Sequence, residues 1–187
     1  VALVTLNCAI ITRPGAPSRR GEVHQIEFVL KQRFNNIEAI KAPGTIDGGD
    51  IMMVGDHYYI GLSERTNLEG AKQIIQILKK YGMSGSTISL KKVLHLKTSL
   101  SYLEKNNLVV SGEFINDSSF GQYNSIEIPE KESYAANCIW VNDSVIIPLG
   151  YPTTKLRIMN VGYPVIETDV TEFQKLDGGL SCLSLRY

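Results

Sequence analysis

Ile51-Met52-Met53-Val54-Gly55-Asp56-His57-Tyr58-Tyr59-Ile60-Gly61 decides how the rest of the chain is read. Two apolar, β-prone runs flank a Gly55-Asp56 turn, which is the pattern of a β-hairpin. Asn67 then precedes a run carrying Ala71, Ile74, Ile75, Ile77 and Leu78 at helical spacing. An asparagine at that point caps a helix, predicted here through about Tyr81. Ser86–Leu90 follows as a third strand. The unit is strand, strand, helix, strand.

The same order recurs on both sides. Val1–Thr5 and Cys8–Thr12 read as a hairpin about Leu6-Asn7. A helix capped by Ser18 runs through about Phe34, with Val23, Ile26, Val29, Leu30 and Phe34 on one face, and Asn36–Ile40 is its following strand. A third hairpin spans Thr98–Leu103 and Asn107–Val110, but Gly112–Ser125 is polar and predicts no long helix. A fourth spans Cys138–Asn142 and Ser144–Pro148, with a helix near Thr153–Asn160 and a strand near Val165–Thr168. The second hairpin strands end near Thr12, Gly61 and Val110, at intervals of about 49 residues, a period that marks a repeat architecture. Such units can stack radially, so that their inner strand ends face one shared centre.

Composition narrows the function. A chain of 187 residues can bury a full core, and 1–187 is expected to be a single domain. Its 19 basic and 19 acidic residues balance, which argues against nucleic acid as a partner. No apolar run approaches the roughly 20 residues that span a bilayer, and no secretory signal pattern is visible. Cys8, Cys138 and Cys182 are odd in number and widely spaced. That argues against a disulfide framework and a zinc site, and fits a reducing, cytoplasmic compartment. Asn116-Asp117-Ser118 and Asn142-Asp143-Ser144 match the glycosylation pattern and read as turns.

Chemistry-bearing residues concentrate where one repeat passes to the next: Gly44–Asp50, Val93–Thr98 and Leu176–Cys182. If these points converge, they unite a carboxylate, an imidazole and a thiol, the set needed for thiol-based nucleophilic catalysis. His95 would hold the thiolate and shuttle protons, and Asp47 would orient the ring. Each residue also has a plainer reading. Cys182 reads as a buried cysteine, His95 as a structural histidine, and Asp47–Asp50 as a turn in which Asp50 bonds backbone amides. His24 and His57 read as surface residues. Arg19 and Arg65 each follow a hairpin strand at the same stage of the repeat, where an arginine can clamp a carboxylate.

Several stretches together resemble one family. They are Ile11-Thr12-Arg13-Pro14-Gly15-Ala16-Pro17-Ser18-Arg19-Arg20, Ile46-Asp47-Gly48-Gly49-Asp50, Gly61–Asn67, Leu94-His95-Leu96-Lys97, Ala135-Ala136-Asn137-Cys138-Ile139 and the final Asp177-Gly178-Gly179-Leu180-Ser181-Cys182. In that order they look like the dimethylarginine dimethylaminohydrolases of the guanidine-modifying superfamily. The resemblance implies an α/β fold, the five-bladed pentein propeller of ββαβ repeats. About four blades are expected here, with the N-terminal blade largely missing. In the family a Glu-Asp pair stands just before the strand that begins at Val1, and about 60–80 earlier residues complete the first blade. The last strand, Leu180–Tyr187, would close the ring onto it.

The resemblance also implies a reaction: hydrolysis of asymmetric dimethylarginine or monomethylarginine to citrulline and a methylamine, with no metal and no organic cofactor. Cys182 is then the nucleophile that forms a thiouronium intermediate. His95 protonates the leaving amine and activates water, and Asp47 orients His95. Arg19 and Arg65 hold the amino acid end of the substrate. Asp177 stands at the substrate site, next to Leu176, whose carbonyl takes the substrate's amino group. The expected partner is a small guanidino amino acid, with no nucleic acid and no membrane; a homodimer is compatible with it. Arginine deiminases and amidinotransferases are the alternative. They carry an acid two residues after the histidine, where this chain has Lys97, and that disfavours free arginine. A non-enzymatic, truncated ligand-binding relative is the third reading.

Overall fold

The computed structural model describes residues 1–184. Among them, twelve strands form four three-stranded sheets of one design. In each sheet the first two strands pair antiparallel and the third pairs parallel to the second. The chain divides into two compact units, Val1–Leu90 and Lys91–Ser184.

The first unit holds two repeats. β1 (Ala2–Val4), β2 (Ala9–Ile11), α1 (Glu22–Lys31) and β3 (Ile37–Ala39) form the first. A 3-10 turn at Pro17–Arg19 contains Ser18, so the helix starts at Glu22 rather than on a serine cap. Leu30 is buried against Val4, Ala9 and Ile11, flanked by Val23, Ile26 and Phe34. Val29, expected on this face, is exposed. It lies at the flank of the Val23–Ile26–Leu30 stripe, and the sheet beneath is only three strands wide.

The second repeat is β4 (Ile51–Val54), β5 (His57–Leu62), α2 (Leu68–Lys80) and β6 (Ser84–Ser89). Asn67 caps α2 as expected, its Oδ1 accepting from the Gly70 N–H at 2.8 Å. The same oxygen accepts from the Thr45 N–H at 3.0 Å, and Nδ2 donates to the Pro43 carbonyl at 3.0 Å. One side chain thus caps the helix and tethers the loop that leads to Asp47. Ala71, Ile74 and Leu78 lie fully buried against Ile51, Tyr58 and Ile60. Burial of each large aliphatic side chain contributes about 1.5–3 kcal/mol. His57, expected on the surface, is half-buried; its ring nitrogens lie 2.8 Å from the Ser84 and Ser86 hydroxyls on the neighbouring strand.

In the second unit, β7 (Leu100–Tyr102), β8 (Asn107–Val110) and β9 (Asn124–Glu127) form a sheet whose crossover carries no α-helix, as the polar stretch indicated. Two 3-10 turns, Gly112–Phe114 and Ser118–Phe120, take its place. They bury Phe114 and Phe120 edge to face, with ring centroids 5.9 Å apart. Two aromatic rings supply the cover that a helix gives elsewhere. The last repeat is β10 (Ile139–Val141), β11 (Ser144–Pro148), α4 (Pro152–Asn160) and β12 (Val165–Thr168), followed by the short α5 (Thr171–Gln174). Asn142 and Asp143 take φ values of 48° and 62°, the left-handed pair that a two-residue hairpin requires.

Glu132 ties this unit together from a 3-10 stretch, Glu130–Ala136. Although only 6% exposed, its carboxylate accepts from the Thr153 N–H at 3.2 Å, the Thr154 N–H at 2.7 Å and the Thr154 hydroxyl at 2.8 Å. These donors belong to the first turn of α4, where a negative charge also suits the helix dipole. Burial alone pushes this carboxyl up; the hydrogen bonds from Thr153 and Thr154 outweigh it and hold Glu132 below the ordinary range. A depressed carboxyl stabilises the fold above its unfolded value, and that contribution is lost as pH falls through the folded one. Glu132→Gln should therefore cost about 1–3 kcal/mol at pH 7. In urea titrations its deficit against the unsubstituted protein should shrink as pH drops below about 4.3.

Candidate active site

The sheet design determines where the candidate residues fall. Because the third strand parallels the second and the first opposes both, three strand ends share one edge of each sheet. They are the exits of the second and third strands and the entry of the first. Arg19 and Arg65 follow β2 and β5 at that edge. Asp47 lies between β3 and β4, His95 between β6 and β7, and Cys182 after β12.

In the first unit the structure joins Arg19 to Asp47 and packs the backbone of Arg65 against Gly15, whose N–H also reaches Asp47. Asp47 is 4% exposed. Its Oδ1 accepts from the Gly15 N–H at 3.0 Å and its Oδ2 from Arg19 Nη1 at 3.2 Å. Its own N–H donates to the Thr66 hydroxyl at 3.0 Å. Asp50 is fully buried and accepts from the Thr66 and Ser63 hydroxyls at 2.6 and 2.7 Å. The sequence reading gave Asp50 backbone amides as partners; the described contacts are with hydroxyls. Ser63 Oγ in turn accepts from the amides of Arg65 and Thr66 at 3.0 and 3.1 Å. A buried carboxylate thus fixes, through two hydroxyls, the turn that carries Arg65.

Arg19 is held in its own plane by a residue the sequence reading missed. Glu22 accepts from Nε and Nη2 at 3.0 Å each, a bidentate fork that also holds Glu22 below the ordinary carboxylate range. The pair is exposed on both sides, so it orients the arginine more than it stabilises the fold. Its signal was the Arg-x-x-Glu spacing at the head of a helix. Glycine at position 15 is a steric need. A Cβ there would lie 2.3 Å from the Arg65 carbonyl oxygen and 2.6 Å from its Cα.

In the second unit His95 is half-buried, with extended backbone at φ −140° and ψ 153°, and directly precedes α3 (Leu96–Ser99). Its carbonyl accepts from the Thr98 N–H at 3.1 Å, which ties the residue to that helix. α3 packs on the Glu130–Ala136 stretch. Ser101 donates to the Ala136 carbonyl at 2.7 Å and accepts from the Cys138 N–H at 3.2 Å, which locks β7 to the end of the same stretch.

Cys182 lies in a 3-10 turn, Leu180–Leu183, so the strand expected from Leu180 does not form there; residues 185–187 of that expectation lie outside the described residues. Side chains from the 130s pin the turn instead. Tyr134 donates its hydroxyl to the Gly178 carbonyl at 2.7 Å, and Asn137 Oδ1 accepts from the Ser181 N–H at 2.9 Å. A Cβ on Gly179 would sit 2.3 Å from Asn137 Nδ2, so the glycine lets the amide reach the backbone. Burial, then the charges of Tyr151 and Cys182, push the Tyr134 phenol up, which keeps it a donor. Asn137 belonged to a recognisable motif without a role; Tyr134 carried no signal. Leu176 is 84% exposed, and Asp177 takes a φ of 57°, a left-handed conformation that aspartate tolerates.

The three thiols differ sharply. Burial raises Cys8, and burial pushes Cys138 up to about 12, so both are inert. Cys182 is exposed, which overturns the plain reading of it as one more buried cysteine. Among the described residues, no group of three or more His, Cys, Asp or Glu could hold a metal ion. No described helix is long and apolar enough to cross a membrane.

Comparison with known proteins gives consistent matches. The arginine deiminase family model matches residues 7–131. The chain is 62% identical to N(G),N(G)-dimethylarginine dimethylaminohydrolase of Pseudomonas aeruginosa, over 99% of this chain and 73% of that protein. The crystal structure of a cysteine-to-serine variant of that organism's enzyme, complexed with citrulline, superposes with a TM-score of 0.98 at 59% identity, covering 100% of this chain and 73% of that one. A histidine-to-glycine variant of a dimethylarginine dimethylaminohydrolase, solved as an adduct with S-methyl-L-thiocitrulline, superposes with a TM-score of 0.97 at 59% identity, covering 100% and 74%. The chain has this pentein-type α/β fold of ββαβ repeats.

Gly15→Ala tests the packing of the Arg65 turn. Forcing a methyl group against backbone costs about 1–3 kcal/mol. The melting temperature should fall by about 2–12 °C. Gly21→Ala, where nothing lies within 4 Å of the added carbon, should leave it unchanged.

Proposed function

We propose a methylarginine hydrolase: the chain belongs to the dimethylarginine dimethylaminohydrolase family, and it carries the thiol, imidazole, carboxylate and paired arginines that the reaction needs. One observation supports this most directly. Cys182 is the exposed thiol of the three, on a turn pinned by Tyr134 and Asn137. A nucleophile needs that combination of access and fixed position.

In this reading residues 1–187 act as one catalytic domain. Arg19 and Arg65 bind the carboxylate of the substrate amino acid. The Leu176 carbonyl takes its ammonium group, and Asp177 faces the cationic side chain. Cys182 Sγ bonds to the guanidinium carbon as the C–N bond to the methylated nitrogen breaks. His95 delivers a proton to that nitrogen, so dimethylamine or methylamine leaves neutral rather than as an amide anion. A positioned general acid of this kind contributes about 10²–10⁴-fold. The thiouronium then takes a water, whose proton passes to His95. Its C–S bond breaks, and citrulline is released with the thiol restored. Asp47 keeps the imidazole in register.

Cytoplasmic location fits the three free cysteines. A second reading, hydrolysis of unmethylated arginine, is favoured by the arginine deiminase model that matches residues 7–131. Lys97 argues against it, because an acid at that position would contact the unsubstituted nitrogens.

Citrulline release by the full-length protein, measured on asymmetric dimethylarginine, monomethylarginine and arginine, separates the two. The expected order places a methylated substrate first, and Cys182→Ser should lower the rate by about 10³-fold or more. No release, or fastest release from arginine, would overturn the assignment.

A further inference from the structure

We infer that Glu113 is a positioning residue that sets where His95 stands, through a carboxylate clamp on the loop before it. The inference rests on the functional reading above, in which His95 handles the protons. The loop from Lys91 to His95 connects β6 to α3 and has no strand or helix of its own. Its backbone donors need partners, and three consecutive amides converge on one side chain. The N–H groups of Lys92 and Val93 donate to Glu113 Oε1 at 3.0 and 3.2 Å. That of Lys91 is shared between Oε2 at 3.1 Å and Oε1 at 3.3 Å. Successive amides aimed at one point form an anion-binding nest, and here the anion is built into the chain.

The clamp is anchored on both sides of the histidine. Glu113 sits in the 3-10 turn Gly112–Phe114, whose Phe114 is buried. Ser111, two residues earlier, donates its N–H to the Ser99 carbonyl at 3.0 Å, the last residue of α3. A single segment, 111–113, therefore grips the chain before His95 and again after it. Lys91 and Lys92 are exposed, and the contacts they make with Glu113 are from backbone N–H groups. Charge-assisted bonds of this kind are about twice as strong as neutral ones, so the loop is held more firmly than its irregular backbone suggests. A general acid must stand within hydrogen-bond reach of the departing nitrogen, and displacement by about 1 Å costs on the order of 10²-fold.

A stabilising contact alone would affect every activity of the site equally. A positioning role would affect the step that needs the imidazole. Two substrates distinguish these. Dimethylarginine must expel an amine, which requires a proton. S-methyl-L-thiocitrulline expels methanethiolate: the Cys182 Sγ–carbon bond forms as the carbon–SCH3 bond breaks, and the thiolate departs without a proton. In a related enzyme the adduct with this compound is found in a histidine-to-glycine variant.

The experiment compares unsubstituted full-length protein with Glu113→Ala and Glu113→Gln. It reads kcat and KM on asymmetric dimethylarginine, and the rate of Cys182 adduct formation with S-methyl-L-thiocitrulline by intact mass. Glu113→Ala should lower kcat by about 10²-fold, leave KM within about threefold, and slow the adduct by less than about tenfold. Glu113→Gln keeps one acceptor oxygen for the three amides and should fall between, near tenfold in kcat; it carries the test if the alanine variant does not fold. An unchanged kcat in both variants, or an equal loss on both compounds, overturns the inference. Unsubstituted protein that is inactive on dimethylarginine but still forms the adduct overturns the functional reading, and the role given to Glu113 falls with it.

Discussion

In every sheet the third strand runs parallel to the second, and no tight turn can join two parallel neighbours. The chain must cross over, so each sheet opens at one edge onto a long connection. The first strand of the next repeat then starts from that same edge. This constraint sets where the candidate residues fall within their own repeats. Arg19 and Arg65 follow second strands, Asp47 and His95 lie between a third strand and the next first strand, and Cys182 follows β12 and α5. Residues far apart in sequence acquire equivalent places because each repeat returns the chain to the corresponding edge of its own sheet.

Long connections create a cost that the regular elements do not have, since their backbone donors lack ladder partners. Buried and half-buried carboxylates meet that need here. Asp50 holds the Ser63–Thr66 turn through two hydroxyls, and Asp47 takes the Gly15 amide. Glu132 takes the first turn of α4, and Glu113 takes three amides before His95. A carboxylate withdrawn from water is expensive unless its oxygens are satisfied, and each of these is met by N–H or O–H donors. The same bonds that offset desolvation make the loops rigid.

Much of this was legible in the sequence, and the reasons for the gaps are physical. Hairpins and α2 were clear because apolar spacing and the Asn67 cap agreed. β9 escaped because Asn124-Ser125-Ile126-Glu127 buries one side chain and shows no alternation. The start of α1 shifted because a 3-10 turn at Pro17–Arg19 took up the segment that seemed to belong to the helix. Asp47, His95 and Cys182 stood out because carboxylate, imidazole and thiol form a known chemical set. Glu113, Tyr134 and Asn137 did not, and a common feature explains it. Glu113, Tyr134 and Asn137 bind backbone groups, which every residue has, so no partner residue marks them in the sequence.

That difference bears on how Cys182 is set apart from the other two thiols. Three cysteines share one chemistry, yet two are sunk in apolar surroundings that raise them out of reach. The third is exposed, and exposure usually brings mobility. Here the turn is fastened, by the Tyr134 hydroxyl at the Gly178 carbonyl and by the Asn137 amide at the Ser181 N–H. The stretch from Glu130 to Asn137 thus has three tasks. Through Glu132 it caps α4, through Ala136 it receives Ser101 at the strand after α3, and through Tyr134 and Asn137 it fixes the cysteine turn. The supports of His95 and of Cys182 share one rigid piece of backbone. A change that shifts this piece should move both residues together.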